Sequence, residues 1–339
     1  MLFNVSAKEL GNVTIGEESY DSLAEAVQDA TSGDVIEINS GLTESATIDV
    51  NCGVTIKGNG NSVSFESFNN TTSGGLQILT SEEVVIDNLE LNSNAVGVVV
   101  NSAEHHLTVK DSIFTVKARG ISVNNQGTQN STIDVLNTII QTVGVDNFDE
   151  ELGAYVDNYT RGISLLQWKN SVLNVKNSTI QGFYYAINFA SDNFDCENTE
   201  VYVENTDLKG RASLNIWPTL KYVLVKNCNI HGINNFAGTT ESFANVVINQ
   251  GASVKKMDVI DSIFTVYENE TVLNNPKAMQ FMFSVRSLGS SINLLGATQF
   301  IDNTGKWDTL VANGVVEEEN TYRTNFTYGY GFVPVSSAS

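Results

Sequence analysis

The stretch Val109-Lys110-Asp111-Ser112-Ile113-Phe114 contains the pattern that decides the fold. It consists of a valine, any residue, Asp or Asn, a small polar residue, any residue and a large apolar residue. The pattern recurs at residues 135–140, 175–180, 203–208, 225–230 and 259–264, and residues 56–59 and 85–88 fit part of it. Self-similarity at intervals of a few tens of residues indicates a repeat architecture.

The units are separated by ~22 to ~40 residues, as expected when a coil of a little over twenty residues carries loop insertions on some turns. Apolar and polar residues alternate within each unit, as in a strand with one buried face. The Asp or Asn then turns the chain, because its side chain bonds nearby backbone and tolerates the left-handed conformation. Stacked coils would align these residues in a ladder that pairs otherwise buried polar groups. The expected ladder positions are Asp111, Asn137, Asn177, Asn205, Asn227 and Asp261.

A second column of strands lies between these units, with aliphatic residues predicted inward and mostly polar residues outward. Its members begin at Gly97, Gly120, Gly162, Ala186 and Ser213. One segment departs from the alternation: Ser22 and Glu25 form a Ser-x-x-Glu capping box that opens an amphipathic helix. We predict this helix at residues 22–31 and expect it to cover the exposed end of the first coil.

These patterns predict an all-β fold, a single-stranded right-handed parallel β-helix of about nine to ten coils with a short N-terminal capping helix. No Pro-rich or charge-run linker divides the 339 residues, which favours one continuous body. Residues 1–19 are expected to form a lead-in strand and residues 20–306 the β-helix. Residues 307–339 are expected to form a C-terminal cap and tail, because the repeat fades near Trp307.

Composition limits the partners. The chain has 18 Lys and Arg against 39 Asp and Glu, a net charge of -21 that repels phosphate backbones and anionic lipid. We therefore expect neither a nucleic acid nor a membrane as a partner. No signal peptide and no run of ~18 apolar residues is visible. The three cysteines are widely spaced and odd in number, which predicts small core residues rather than a metal or redox site.

Residues 20–27, 32–38 and 54–60, which read YDSLAEAV, SGDVIEI and VTIKGNG, carry a resemblance to a known family. They resemble the opening of pectin-lyase-like right-handed parallel β-helix proteins, particularly repeat proteins of bacterial cell surfaces. The resemblance covers about residues 10–305 and implies the fold. That superfamily includes pectate lyases, polygalacturonases, phage tailspikes and non-catalytic surface proteins, so the resemblance does not imply an activity.

Only fragments of a catalytic site are present. Asn205-Thr206-Asp207 matches the Asn-Thr-Asp motif of polygalacturonases, but it is also this coil's copy of the repeat. His231-Gly232 follows Ile230 instead of a glycine, and no Asp-Asp pair occurs. We assign no catalytic residue from these fragments.

A pectate-lyase-like site would need clustered acidic ligands for Ca²⁺ beside an Arg or Lys base. The densest acidic cluster lies in the insertion between Val143 and Thr160 and is a candidate Ca²⁺ site, the one cofactor the sequence suggests. A solvated acidic loop is the alternative, and we favour it. The cluster consists of Asp146, Asp149, Glu150, Glu151 and Asp157.

A column of arginines is the most informative constellation. Arg119 and Arg161 each precede a Gly-Ile-Ser unit, Tyr185 takes the equivalent place on the next coil, and Arg211 comes close to it on the one after. Aligned like charges repel one another unless anions neutralise them. The carboxylates of an acidic glycan could do so. Nearby tryptophans would stack on sugar faces. They are Trp168 and Trp217.

An alternative is that the arginines pair with the protein's own carboxylates and the tryptophans cap a bend. Our leading hypothesis is a non-catalytic extracellular or cell-surface module, adhesin-like or a structural spacer, that binds acidic glycan or a cell-surface protein. One rival is a polysaccharide lyase or glycoside hydrolase acting on acidic polysaccharide, which a paired-carboxylate cleft would favour. The other is a phage tailspike or fibre domain on a virion surface, a trimer instead of a monomer, which a threefold apolar flank would favour.

Overall fold

One short helix and thirty-three strands make up the described part of the chain. The computed structural model describes residues 11–66, 74–125, 127–142, 148–149, 154–155, 160–190, 195–233, 243–249, 251–267, 280–285, 289–302, 325–328 and 333–335. The protein is therefore all-β, as predicted.

The elements of the first half are β1 (Val13–Ile15), β2 (Glu18–Tyr20), α1 (Leu23–Asp29), β3 (Val35–Ile38), β4 (Leu42–Glu44), β5 (Ile48–Val50), β6 (Thr55–Lys57), β7 (Ser62–Phe65), β8 (Gly74–Ile78), β9 (Glu83–Asp87), β10 (Glu90–Ser93), β11 (Val96–Val100), β12 (His106–Lys110), β13 (Ile113–Val116), β14 (Arg119–Val123), β15 (Thr132–Leu136), β16 (Ile139–Thr142), β17 (Phe148–Asp149) and β18 (Ala154–Tyr155). Those of the second half are β19 (Arg161–Leu166), β20 (Val172–Lys176), β21 (Thr179–Ala190), β22 (Asp195–Glu204), β23 (Asp207–Ile216), β24 (Thr219–Lys226), β25 (Asn229–Ile233), β26 (Phe243–Ile248), β27 (Ser253–Ile260), β28 (Ile263–Tyr267), β29 (Gln280–Val285), β30 (Ser291–Leu295), β31 (Gln299–Asp302), β32 (Asn325–Tyr328) and β33 (Val333–Val335).

Two long sheets contain nearly all of these strands. Sheet A has thirteen strands in the order β2-β1-β3-β6-β9-β12-β15-β20-β22-β24-β27-β30-β32, and every pair from β3 onward is parallel. Sheet B has eighteen strands, also paired in parallel between coils. Strands thus pair with their equivalents one coil away. Long parallel sheets of this kind are compatible with a solenoid.

Sheet A contains more repeats than the sequence predicted. Leaving out the antiparallel β1 and β2, eleven of its thirteen strands are parallel, against nine to ten expected coils. The additional strands lack the Val-x-Asn signature. After β30 the turn position is taken by Gly296, which has φ +64° and adopts the left-handed conformation without a Cβ penalty. Both sheets also continue past residue 306, through β32 and β33.

The predicted corner of Asp and Asn residues is present. Asp111, Asn137, Asn177, Asn205, Asn227 and Asp261 all have φ between 49° and 52°. The Asn137 amide donates to Asp111 Oδ1 at 3.0 Å, and Asn177 donates to Asn137 Oδ1 at 3.1 Å. These side chains are exposed, so the expectation that they pair buried groups is wrong.

Buried backbone groups are instead paired by the residue that directly follows the Asp or Asn of each repeat. The Ser178 hydroxyl donates to Lys176 O at 2.8 Å and accepts the Thr138 N–H at 3.1 Å, which links two coils. Equivalent side chains, 0–4% exposed, form a column through the interior. The column comprises Ser112, Thr138, Ser178, Thr206, Cys228, Ser262 and Thr298.

The N-terminal helix lies where the capping box predicted it. Ser22 is the N-cap and accepts the Glu25 N–H at 3.2 Å, while Glu44 of β4 accepts the Leu23 N–H at 2.8 Å. The helix spans Leu23–Asp29, slightly shorter than predicted, and buries Leu23, Ala26 and Val27. It packs against β5 and so covers the first coil.

Candidate binding strip

The predicted arginine column is in register on three successive coils. Arg119 of β14 pairs with Arg161 of β19, and Arg161 pairs with Tyr185 of β21. On either side the column continues with Val96 and Ala212. We call Arg119, Arg161 and Tyr185 the arginine strip. Neighbouring strands lie about 4.8 Å apart, so the two guanidinium groups belong to adjacent rungs.

Both arginines are half-buried and held by defined contacts. Arg119 Nη1 donates to Ser122 Oγ at 3.0 Å, and Arg161 Nη1 donates to Thr160 O at 2.8 Å. The Arg161 guanidinium also lies 4.3 Å from the centroid of the Tyr185 ring, within the range of a cation–π contact. The strip is therefore partly pre-organised by the protein itself.

The outer face next to the strip is not open surface. Ile121 and Val123 point into the main core, so Ser122 between them faces outward, yet Ser122 is 0% exposed. Its register partners are also nearly inaccessible. These partners are Val99, Ser164, Asn188 and Asn215, 1–4% exposed. A ligand would therefore reach the half-exposed strip rather than this row.

A row of amides runs beside the strip and was not predicted from the sequence. Gln141 Nε2 donates to Thr115 Oγ1 at 3.3 Å, and Gln181 Nε2 donates to Gln141 Oε1 at 3.1 Å. Lys209 and His231 continue the row. Partial burial lowers the pKa of His231, and Lys209 adds to this effect. Only the coil register reveals this row, because its members share no motif.

The remaining predicted residues fall in different places. Trp168 does not border the strip, because its side chain is only 1% exposed and lies in the core. Trp217 is half-buried and follows β23, and its backbone N–H donates to Phe189 O at 3.2 Å. Arg211 precedes Ala212, which takes the strip position, and only the Arg211 backbone is described.

The candidate Ca²⁺ cluster falls almost entirely outside the described part of the chain. Asp146, Glu150, Glu151 and Asp157 lie outside the described residues, and only the backbone of Asp149, in β17, is described. Among the residues that the structure describes, no group of three or more His, Cys, Asp or Glu side chains is arranged to hold a metal ion.

A second polar and aromatic patch lies on the outer face of sheet A. The Tyr202 hydroxyl donates to Glu200 at 2.5 Å, which raises the pKa of Tyr202 to about 12. Tyr222 donates to Asp258 at 2.9 Å, and burial and this bond raise its pKa to about 12. Lysines neutralise both carboxylates: Lys221 lies 2.6 Å from Glu200 and Lys256 lies 2.9 Å from Asp258. The patch satisfies its own polar groups, so a stabilising role explains it.

Comparisons with known proteins found nothing similar: no family model, curated protein or solved structure matches the chain. A search of the described residues for a helix that is long and apolar enough to cross a membrane found none.

Proposed function

We propose that the chain is a right-handed parallel β-helix of the pectin-lyase-like kind and acts as a non-catalytic extracellular surface module. Its arginine strip binds acidic glycan. Support for the fold comes from the parallel coil-to-coil pairing and from the two ladders at the turn, which repeat on successive coils. A rigid solenoid supplies length and a long binding face without needing a pocket.

The observation that carries the binding proposal is the register of Arg119, Arg161 and Tyr185 on adjacent rungs. In a chain of net charge -21, two aligned guanidinium groups form a local cationic strip against an opposing field. The planar guanidinium group of an arginine can bind a carboxylate with two parallel hydrogen bonds. A uronate chain lying along the solenoid would meet one rung after another.

The lengths of the connections also support this location. Links between two strands of sheet B within one coil are short in some coils, as at residues 94–95 and 117–118, and long in others, as at 143–160 and 234–242. Two of these links, 117–118 and 143–160, directly precede the strip strands β14 and β19. In solenoid proteins, insertions of variable length map to one face, often the binding face.

The lyase or hydrolase alternative has less support among the described residues. Asn205 belongs to the exposed ladder and Thr206 to the buried hydroxyl column. Asp207 accepts the Asn229 amide at 2.8 Å. All three residues of the polygalacturonase-like motif therefore have a structural role in the repeat.

The test is calorimetric titration with uronic acid oligosaccharides and with neutral oligosaccharides of the same length. We expect the protein to prefer the uronates, and the Arg119→Ala/Arg161→Ala double variant to bind them at least ~10-fold more weakly, about 1.4 kcal/mol or more. A matched control is Lys110→Ala/Lys176→Ala, which removes two cations from sheet A. Binding should also weaken as salt shortens the Debye length from ~30 Å to ~8 Å.

Equal affinity of the two double variants for the uronates would contradict binding at the arginine strip. If the protein bound no acidic glycan, the remaining hypotheses would be a structural spacer and a protein-binding module. Assays for reducing ends and unsaturated products on the same mixtures test the enzyme alternative directly.

A further inference from the structure

Four buried polar atoms are concentrated in three residues of two equivalent turns. His105 lies between β11 and β12, and Trp168 lies between β19 and β20. Among the described residues, both nitrogens of His105, the indole Nε1 of Trp168 and the hydroxyl of Ser102 have no partner that meets normal hydrogen-bond geometry. His105 is 0% exposed and Trp168 1%. Buried polar groups without partners are costly, so such a concentration calls for an occupant.

The two rings are close although they are two coils apart. Their planes are tilted by only 19° and their centroids are 6.3 Å apart. The turns that carry them are fixed by bonds through the intervening coil: His105 N donates to Ser131 Oγ at 3.1 Å, and Ser131 N donates to Ser171 Oγ at 3.0 Å. The polar atoms therefore cannot easily turn outward to reach bulk water.

We propose that His105, Trp168 and Ser102 form an internal site for ordered water inside the solenoid. The donor and acceptor pattern identifies the occupant. The indole N–H only donates, a neutral imidazole donates from one nitrogen and accepts at the other, and a serine hydroxyl does both. A cation would be repelled by the indole N–H, which only donates, and an anion would be repelled by the imidazole nitrogen that accepts. Water both donates and accepts, so it can serve all three residues.

The protonation state of His105 agrees with this pattern. Burial lowers the pKa of His105 to about 4; a contact with the Ser102 backbone, outside normal hydrogen-bond geometry, opposes the shift, and His106 adds to it. The ring is therefore neutral at pH 7 and keeps one nitrogen as an acceptor. Within the described residues, the buried polar side chains of these turns also include Thr128, Ser131 and Ser171, which carry no charge. The charged residues of the same turns are Glu104, which is exposed, and Lys169, which is half-buried.

Two measurements test the site. In the intact protein, we expect ordered water within hydrogen-bond distance of Trp168 Nε1 in a high-resolution crystal structure. We also expect a water cross-peak to the Trp168 indole proton in NMR, assigned with Trp168→Phe because the chain has three tryptophans. Indole and imidazole nitrogens bonded directly to protein atoms, with no water beside them, would overturn the proposal.

The second measurement is the melting temperature of His105→Phe, with His106→Phe as the matched control because His106 is only half-buried. If water bridges the rings, the phenyl ring displaces it and leaves Trp168 Nε1 without a partner, so Tm should fall by about 2 °C or more. If the site is dry, the same change removes two unpaired nitrogens and Tm should rise. The control should move Tm much less in either case.

Discussion

At the level of single residues, the left-handed turn positions combine two roles. Asn177 has φ 51°, a conformation that costs most residues about 1–2 kcal/mol but that Asn tolerates. Its amide also donates to Asn137 Oδ1 and its oxygen accepts from Asn205 Nδ2 at 3.0 Å. Because the ladder is exposed, its hydrogen bonds contribute less than the backbone preference does.

We therefore expect Asn177→Leu to lower the free energy of unfolding by about 1–2 kcal/mol, mainly through backbone strain. Asn177→Gly, which adopts the left-handed conformation freely, should cost less. Urea denaturation midpoints measure both. Equal losses in the two variants would show that the ladder bonds, and not the turn conformation, dominate.

His105 gives the protein an acid-sensitive interior. Its pKa is about 4 in the folded chain against 6.5 for the ordinary side chain. As pH falls from 6.5, the unfolded chain takes up a proton that the folded chain does not, so the free energy of unfolding decreases. The decrease should reach about 1.5 kcal/mol between pH 6.5 and pH 5, before most carboxylates titrate.

The measurement is urea denaturation at pH 6.5, 5.8 and 5.0. His105→Phe should lose most of this pH dependence, whereas His106→Phe should keep it. If His105→Phe and the parent protein lost the same stability over this range, another group would be responsible, and His231, whose pKa is also lowered, would be the first to test.

At the level of elements, helix α1 depends on the first coil for its start. Ser22 and Glu44 accept the N–H groups of Glu25 and Leu23, two of the donors that a helix start leaves unpaired. Glu44 is only 7% exposed, so its contact is buried. The helix and the first strands of the sheets are thus joined by a polar contact as well as by apolar packing.

Glu44→Ala should destabilise the protein by about 1–3 kcal/mol, because it leaves a buried N–H without a partner. Glu44→Gln keeps an oxygen acceptor and should cost less. Ser22→Ala should cost about 1 kcal/mol. Hydrogen exchange of the α1 amides, compared with those of β12, checks whether the loss is confined to this end of the molecule.

At the level of the whole molecule, self-repulsion opposes folding. The net charge is -21, while several ion pairs on sheet A join partly exposed side chains, as in Lys57–Glu37 at 3.1 Å and Lys110–Asp87 at 3.2 Å. Exposed pairs of this kind contribute at most about 1 kcal/mol each. Added salt should therefore weaken the repulsion between the excess carboxylates more than it weakens the attraction within the ion pairs.

Raising NaCl from about 10 mM to about 150 mM should accordingly raise the melting temperature at pH 7. Salt should weaken glycan binding over the same range, so the two effects have opposite signs. Near the isoelectric point, pH 4.4, the stabilisation should largely vanish. A melting temperature that falls with salt at pH 7 would show that the ion pairs outweigh the repulsion.

Much of the local structure follows from the sequence because its causes are local. Alternation in segments such as His106–Lys110 specifies a strand with one buried face, and the Asp or Asn that follows specifies the turn. Ser22 and Glu25 likewise predict the start of α1. The alignment of Arg119 with Arg161 could also be predicted, because a regular repeat specifies which residues become neighbours.

Contacts between different coils are not specified by the repeat pattern, and only the tertiary structure reveals them. Coil stacking decides that the amide corner is exposed and that Ser178 and its equivalents pair the buried groups. It also places Trp168 in the core beside His105, although 63 residues separate them in sequence. Such contacts depend on the lengths of the intervening turns and on the packing of adjacent coils. Neither is specified by the alternation within one strand, and for that reason the sequence alone could not supply them.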